Sequence, residues 1–225
     1  MTTENRTRRR ADALTQQRIV EAAIEILDQD GEDALTFRAL AAHLATGSGA
    51  LYWHVADKQT LLAQATDQIV AAALHEAATR PQPQDAIRAL ALGVFDAIDA
   101  HPWVGAQLAR DPWQYAVLRI LEGVGVQVQA MGVPEPAQFN AATAILSFIL
   151  GLAGQYATRP QAALEGVDRA AVLENVAAKW AQLDAAQHPF VRQVAAMLSG
   201  HDDREQFLAG IDFILAGIVQ NTIVS

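Results

Sequence analysis

Between Gly47 and Lys58 the chain reads GSGALYWHVADK, and these side chains suit contact with a polyanion better than covalent chemistry. Gly47, Ser48, Gly49 and Ala50 carry almost no bulk, so backbone there can come close to another molecule. Tyr52 and His54 supply polar groups able to reach phosphates or base edges. Trp53 between them is expected to pack partly against its own unit. Thr36 and Lys58 stand at expected helix starts, where backbone N–H groups and the helix dipole favour a phosphate. Chemistry of other kinds lacks its residues. There is no cysteine, which excludes disulfides, thiolate metal sites and cysteine nucleophiles. No G-x-S-x-G, paired-histidine motif or P-loop occurs, and His43, His75, His188 and His201 show no paired spacing. No metal or cofactor is expected.

The elements that must position these residues read as helices. Ile19, Ala22, Ala23, Ile26 and Leu27 form a stripe of helical period that stops at Asp30-Gly31, where glycine can close the end. Thr36 is a natural N-cap for a second helix with Phe37, Leu40, Ala41 and Leu44 facing inward. Ala45-Thr46-Gly47 makes a tight connection to a very short third helix over 48–54, whose Leu51 should lock onto Leu40 and Leu44. Asp57 then caps a fourth helix that buries Leu61, Leu62 and Ile69. Two short helices joined by a glycine-containing turn describe a helix-turn-helix. Arg80-Pro81-Gln82-Pro83 breaks the pattern, because two prolines so placed cannot lie inside a helix. Beyond it, helices are predicted over Asp85–Ala100, Trp113–Met131, Glu135–Tyr156, Asp168–Leu183, Pro189–Leu198 and Asp202–Val224. The expected fold is all-α: a three-helix head, a connecting helix and a larger helical body. The corresponding units are an arm over 1–14, the head over 15–80 and the body over 81–225.

The 225 residues include 16 Lys and Arg against 25 Asp and Glu, a net charge of −9. That sum alone argues against a nucleic-acid partner. Its distribution argues otherwise: residues 1–60 hold seven basic and nine acidic residues, and the remainder holds nine and sixteen. The head is therefore the less acidic part, with arginines gathered at Arg6, Arg8, Arg9, Arg10 and Arg38. Apolar residues make up 52% and charged residues 18%, which excludes bulk disorder. No export segment is visible, and the most apolar stretch, Ala141–Leu152, is too short to cross a bilayer as a helix. A cytoplasmic protein without a membrane partner is expected.

Residues Gln16–Leu62 resemble the DNA-binding domain of the TetR family of transcriptional regulators. The resemblance rests on Ile19-Val20-Glu21-Ala22-Ala23, Gly31, Leu35-Thr36-Phe37-Arg38-Ala39-Leu40-Ala41, Leu44, Gly49-Ala50-Leu51-Tyr52-Trp53-His54-Val55, Lys58 and Leu61-Leu62. Tyr-Trp-His-Val followed by lysine is especially similar to the tetracycline-repressor branch. The resemblance implies that Arg38 reads a base, that Gly47, Ser48, Gly49 and Ala50 lead the recognition helix, and that Tyr52, His54 and Lys58 clamp the DNA backbone. It makes Thr36 a phosphate-contacting cap and Trp53 part of the same surface. Ala45-Thr46-Gly47 departs from the frequent Gly-Val-Ser turn, so a side-chain cap for the recognition helix must come from Thr46 or be absent. With so bare a tip, readout leans on Arg38, on DNA shape and on the arm (Arg6, Arg8, Arg9, Arg10) entering a minor groove; such a basic terminus is otherwise a solvated tail.

A head this small reads few base pairs, so a homodimer on a palindromic operator is expected. Phe207, Leu208, Ile211, Phe213, Ile214, Leu215, Ile218 and Val219 cover more than one helical face and are candidates for the interface. By family analogy they meet Glu135–Tyr156, including Phe148, in a four-helix bundle, with about half of these side chains serving the chain's own core. The resemblance also implies a small-molecule effector in the body. Phe95, Ile98, His101, Trp103, Trp113, Phe148, Tyr156 and Trp180 are the candidates, although such side chains are more often ordinary core. His101 resembles the place where the tetracycline repressor sets a histidine on drug-bound magnesium, but His101-Pro102 is equally an ordinary helix stop. Coupling between body and head is expected to run through the helix after Asp57. The reading is a repressor released by a small, largely apolar effector. The alternatives are an effector-independent regulator or activator and, lacking any motif, an enzyme acting on a small molecule.

Overall fold

The computed structural model describes residues 14–111, 113–157 and 169–224, and every regular element among them is helical. The arm residues Arg6, Arg8, Arg9 and Arg10 lie outside the described residues. Helix α1, Gln16–Asp30, begins where Thr15 Oγ1 accepts the Arg18 N–H at 3.2 Å. It buries the expected stripe, Ile19 to Leu27, and ends at Gly31. There φ is 78° and ψ 179°, a conformation that L side chains rarely adopt, so glycine is required. A single 3₁₀ turn, Glu32–Ala34, leads to α2, Phe37–His43, and then to α3, Ser48–Leu51. Leu40, Leu51, Leu61 and Leu62 meet at the centre of this head, each fully buried.

Helix α4, Lys58–Ala77, starts on Asp57, whose Oδ1 accepts the Thr60 N–H at 2.7 Å, and runs from head to body. Its first half contributes Leu61 and Leu62 to the head and its second half contributes Val70, Ala73 and Ala77 to the body. The two cores are thereby one continuous apolar cluster. Helix α5, Pro83–Ala100, opens with proline in its first turn, where the missing N–H needs no partner, and occupies the centre of the body. It crosses α4 closely: a Cβ placed on Gly93 would lie 2.7 Å from Ala73 Cβ and 3.1 Å from its Cα.

The next element corrects the sequence reading. His101-Pro102 ends α5, but Pro102 also begins α6, Pro102–Arg110, which the reading had left as a break. A proline that stops one helix can occupy the first position of the next. Helices α7, Tyr115–Ala130, and α8, Glu135–Ala157, follow. As a whole, α8 is long and apolar enough, by length and composition, to cross a membrane, whereas the sequence reading counted only a dozen residues. One row of it, Ala141, Ala142, Ile145, Ile149 and Ala153, is core packed within the body. Helix α9, Arg169–Ala181, buries none of its residues. It packs with α10, Pro189–Val194, and the 3₁₀ segment Ala195–Gly200, where the reading expected one continuous helix. Helix α11, Asp203–Val224, closes the body against α5 and α8, held by Arg88 on Asp212 at 2.6 Å and Arg204 on Asp96 at 2.8 and 3.1 Å.

Candidate nucleic-acid interface

The turn before the recognition helix is built by local backbone bonding. Thr36 Oγ1 accepts the Ala39 N–H at 3.1 Å and starts α2 as expected. At the other end, Thr46 N–H reaches Ala41 O at 2.9 Å and Ala45 N–H reaches Ala42 O at 3.2 Å. This paired closure needs a left-handed residue, and Ala45 supplies it at φ 50° where glycine is usual. The cap question is answered too: Gly47 is the N-cap of α3 and no side chain bonds there, so the Thr46 cap is absent. Gly47 and Gly49 have open space around their Cα atoms, which leaves the leading end of α3 bare. Leu51, fully buried, pins the helix to the head core through Leu40.

The outward residues divide by how they are held. The Tyr52 ring is 60% exposed and stacks on Phe37, with centroids 4.5 Å apart and planes 5° from parallel. Phe37 is thus a platform under the exposed Tyr52. Trp53 overturns the expectation of partial packing, since it is 90% exposed. His54 and Arg38 are exposed as well. The Thr60 N–H, bonded to Asp57, holds that carboxyl below its ordinary range. Lys58 is half-buried and its Nζ donates to the Glu32 carbonyl at 2.6 Å, a partner that sequence spacing did not suggest.

Head and body are also joined by side chains that the motif does not contain. Asp28 Oδ1 on α1 bonds His101 Nδ1 at 2.8 Å and accepts the Trp103 indole N–H at 2.7 Å. Glu32 accepts two N–H groups of Arg110 at 3.1 and 2.9 Å and one of Gln107 at 2.8 Å. Arg110 holds the Glu32 carboxyl below its ordinary range, mainly by hydrogen bonding. Asp67 on α4 pairs with Arg119 on α7 at 3.0 Å. Every one of these carboxylates belongs to the head or to the connecting helix, and every partner belongs to the body. Helix α6 therefore forms a second joint besides α4.

Among the described residues, the expected effector residues have different surroundings. His101 and Trp103 belong to the joint with Asp28. Ile98 is core, and Phe95 packs against Phe207 with centroids 5.3 Å apart and planes tilted by 37°, while Phe207 stacks with Phe148 at 5.2 Å. Trp113 is 81% exposed, Trp180 sits half-buried on α9, and the Tyr156 side chain lies outside those described. A groove of about 520 Å³ runs between α8 and α11, lined by Phe148, Leu152, Phe207 and Phe213 with Ser147 and Gln155. A second, of about 640 Å³, lies further along the same pair of helices, against Val133, Ala141, Ile214 and Ile218. Among the candidate interface residues, Phe207, Ile211 and Leu215 are buried in the chain's own core, while Phe148, Ile214 and Ile218 are half-buried. Phe213, a further candidate for the interface, is 78% exposed.

A helix-turn-helix head on a helical body, with its recognition helix turned outward, defines a DNA-binding regulator. Residues 19–65 match the model of bacterial regulatory proteins of the tetR family, and residues 79–222 match that of the tetracyclin repressor-like C-terminal domain. The chain belongs to the TetR family of transcriptional regulators. It is similar to the transcriptional regulator SCO7222, a TetR from Streptomyces coelicolor, with 51% identity and a TM-score of 0.83 over 93% of this chain and all of that one. An HTH-type transcriptional regulator of Saccharopolyspora erythraea is 28% identical across 91% of this chain and 84% of its own. ActR of Streptomyces coelicolor, solved in complex with actinorhodin, shares the fold at 22% identity, with a TM-score of 0.72 over 93% of this chain and 99% of that one.

Proposed function

We propose that the chain is a homodimeric repressor that grips a palindromic operator with two heads and releases it when a small, largely apolar effector enters the body. The observation that carries this reading is the outward face of the head, where Tyr52, Trp53 and His54 stand exposed beside the bare tip of Gly47, Ser48 and Gly49. In this reading Arg38 takes a base edge, and Thr36, Tyr52, His54 and Lys58 hold phosphates around it. The arm over 1–14 reaches the minor groove, the head spans 15–80 and the body spans 81–225. Two heads must sit about one helical turn apart, roughly 34 Å, to enter successive major grooves. Phe139 and Phe213, exposed on α8 and α11, support pairing of two copies through those helices. The grooves beside Phe148 and Phe207 support an apolar effector, and ActR, with a ligand bound on the same fold, is consistent with that use.

The test is a mobility shift on duplex DNA flanking the chain's own gene, repeated with a panel of apolar aromatic compounds. A shifted band that one compound reverses supports the reading. Binding that no member of a broad panel reverses favours the effector-independent alternative. A protein that sizes as a clean monomer, rather than near twice 24.1 kDa, contradicts the dimer.

A further inference from the structure

Glu32 stands at the junction of three elements. Its carboxylate is gripped from the body by Arg110, through both terminal guanidinium nitrogens, and by the buried Gln107. The backbone at Gln107 is itself held, because its main-chain carbonyl accepts the Gln114 side-chain Nε2–H at 2.6 Å, just before α7. The backbone carbonyl of the same Glu32 accepts Lys58 Nζ at 2.6 Å. One residue thus holds the body by its side chain and Lys58 by its main chain. The turn that carries it, Glu32–Ala34, is only three residues long and is followed by the buried Leu35, so a displacement of the carboxylate has little chain in which to dissipate. A lysine ammonium has three donors, and Glu32 occupies one, which leaves two for a phosphate.

We infer that Glu32 is a positioning residue: it sets the Lys58 ammonium in place for a DNA phosphate and ties that place to helix α6. A shift of α6 in the body then alters the Lys58 contact without passing through the recognition helix. This rests on the reading of the head as the DNA-binding face. It differs from transmission along α4, which rotates the whole head and changes every contact together. The α6 route acts on one phosphate contact, and one contact has a defined signature: each lysine–phosphate contact contributes about 0.9 to the slope of log affinity against log salt.

The experiment measures affinity for one duplex, taken from DNA flanking the chain's own gene, across a salt series. The proteins are wild type, Lys58→Ala, Glu32→Ala, Arg110→Gln, and the doubles of each latter variant with Lys58→Ala. Lys58→Ala is expected to lower the slope by about one, and Glu32→Ala and Arg110→Gln each to lower it by most of that amount. Adding either to Lys58→Ala should change nothing further. Arg110→Gln removes a half-exposed side chain at the end of α6 and provides the test if Glu32→Ala loses its helix content by circular dichroism. Full additivity with Lys58→Ala overturns the inference, because general loosening of the head would weaken binding whether or not Lys58 is present. A Lys58→Ala slope equal to wild type overturns it as well. If wild type fails to bind the duplex at any salt, the DNA-binding reading falls first and this inference with it.

Discussion

The head and the body use similar helices in opposite ways. In the head, three helices and the start of α4 close on Leu40, Leu51, Leu61 and Leu62 until little apolar surface is left over, and what faces outward is short, polar or aromatic. In the body, α5 is wrapped on several sides, yet α8 and α11 still leave Phe139 and Phe213 in solvent and α9 buries nothing. The head is finished as a single chain; the body is not. A recognition helix of four residues has no stability of its own and exists because Leu51 is buried beneath it. The outer helices of the body keep apolar side chains such as Phe139 and Phe213 in solvent.

The sharpest way to break this contrast is Leu51→Ala. Removing a fully buried leucine should cost about 2–5 kcal/mol and should fall on the head. Hydrogen exchange should report faster opening in α1 to α3 with α5 and α7 little changed. Uniform loss across both would mean that head and body unfold as one unit. Gly93→Ala addresses the seam between them. Its new methyl meets Ala73 Cβ and Cα where α4 crosses α5, so the helices must separate, at a cost of about 1–3 kcal/mol in chemical denaturation. Ala45→Gly acts in the opposite direction. It relieves a left-handed alanine and should stabilise the head by roughly 0.5–1 kcal/mol, seen as a small rise in Tm.

A pH titration gives the smallest effect. Glu32 has its carboxyl lowered in the folded state, chiefly by Arg110, so its contribution is present above the ordinary carboxylate range. That contribution is lost as pH falls through the lowered value. Glu32→Gln should remove that contribution at neutral and alkaline pH and flatten the acid side, where the wild type loses it anyway; an unchanged profile would show that the clasp adds nothing to stability.

How much of this was legible in the sequence follows the same divide. The head was readable because its contacts are short-range and regularly spaced: Thr36 to Ala39, Asp57 to Thr60, and a bare tip followed by a buried leucine. Its two surprises come from surfaces that spacing does not encode. Trp53 stands clear of the head although a tryptophan usually packs, and Phe37 supports Tyr52 from fifteen residues away. The joint was invisible because Asp28 meets His101 and Trp103, and Glu32 meets Gln107 and Arg110, across 73 to 78 residues. Helix α6 was lost for a local reason, as Pro102 was read as a stop when it is also a start. In the body, large apolar residues at helical spacing said that a core exists but not which members face a cavity. Phe95, Phe148 and Phe207 form one aromatic cluster, while His101 and Trp103 turn toward the head.

The most direct measurement is a mobility-shift titration of one duplex from the flanking DNA with wild type and with the Arg38→Ala, Tyr52→Ala double variant. Both side chains are exposed, Tyr52 at 60% while stacked on Phe37, and neither belongs to the buried core. Wild type should shift the duplex, and the double variant should lose at least tenfold in affinity, as expected when about 1–3 kcal/mol goes with each contact. Its helix content and sizing profile should stay those of wild type. Equal binding by the two proteins, with both folded, would contradict the assignment of this face to DNA.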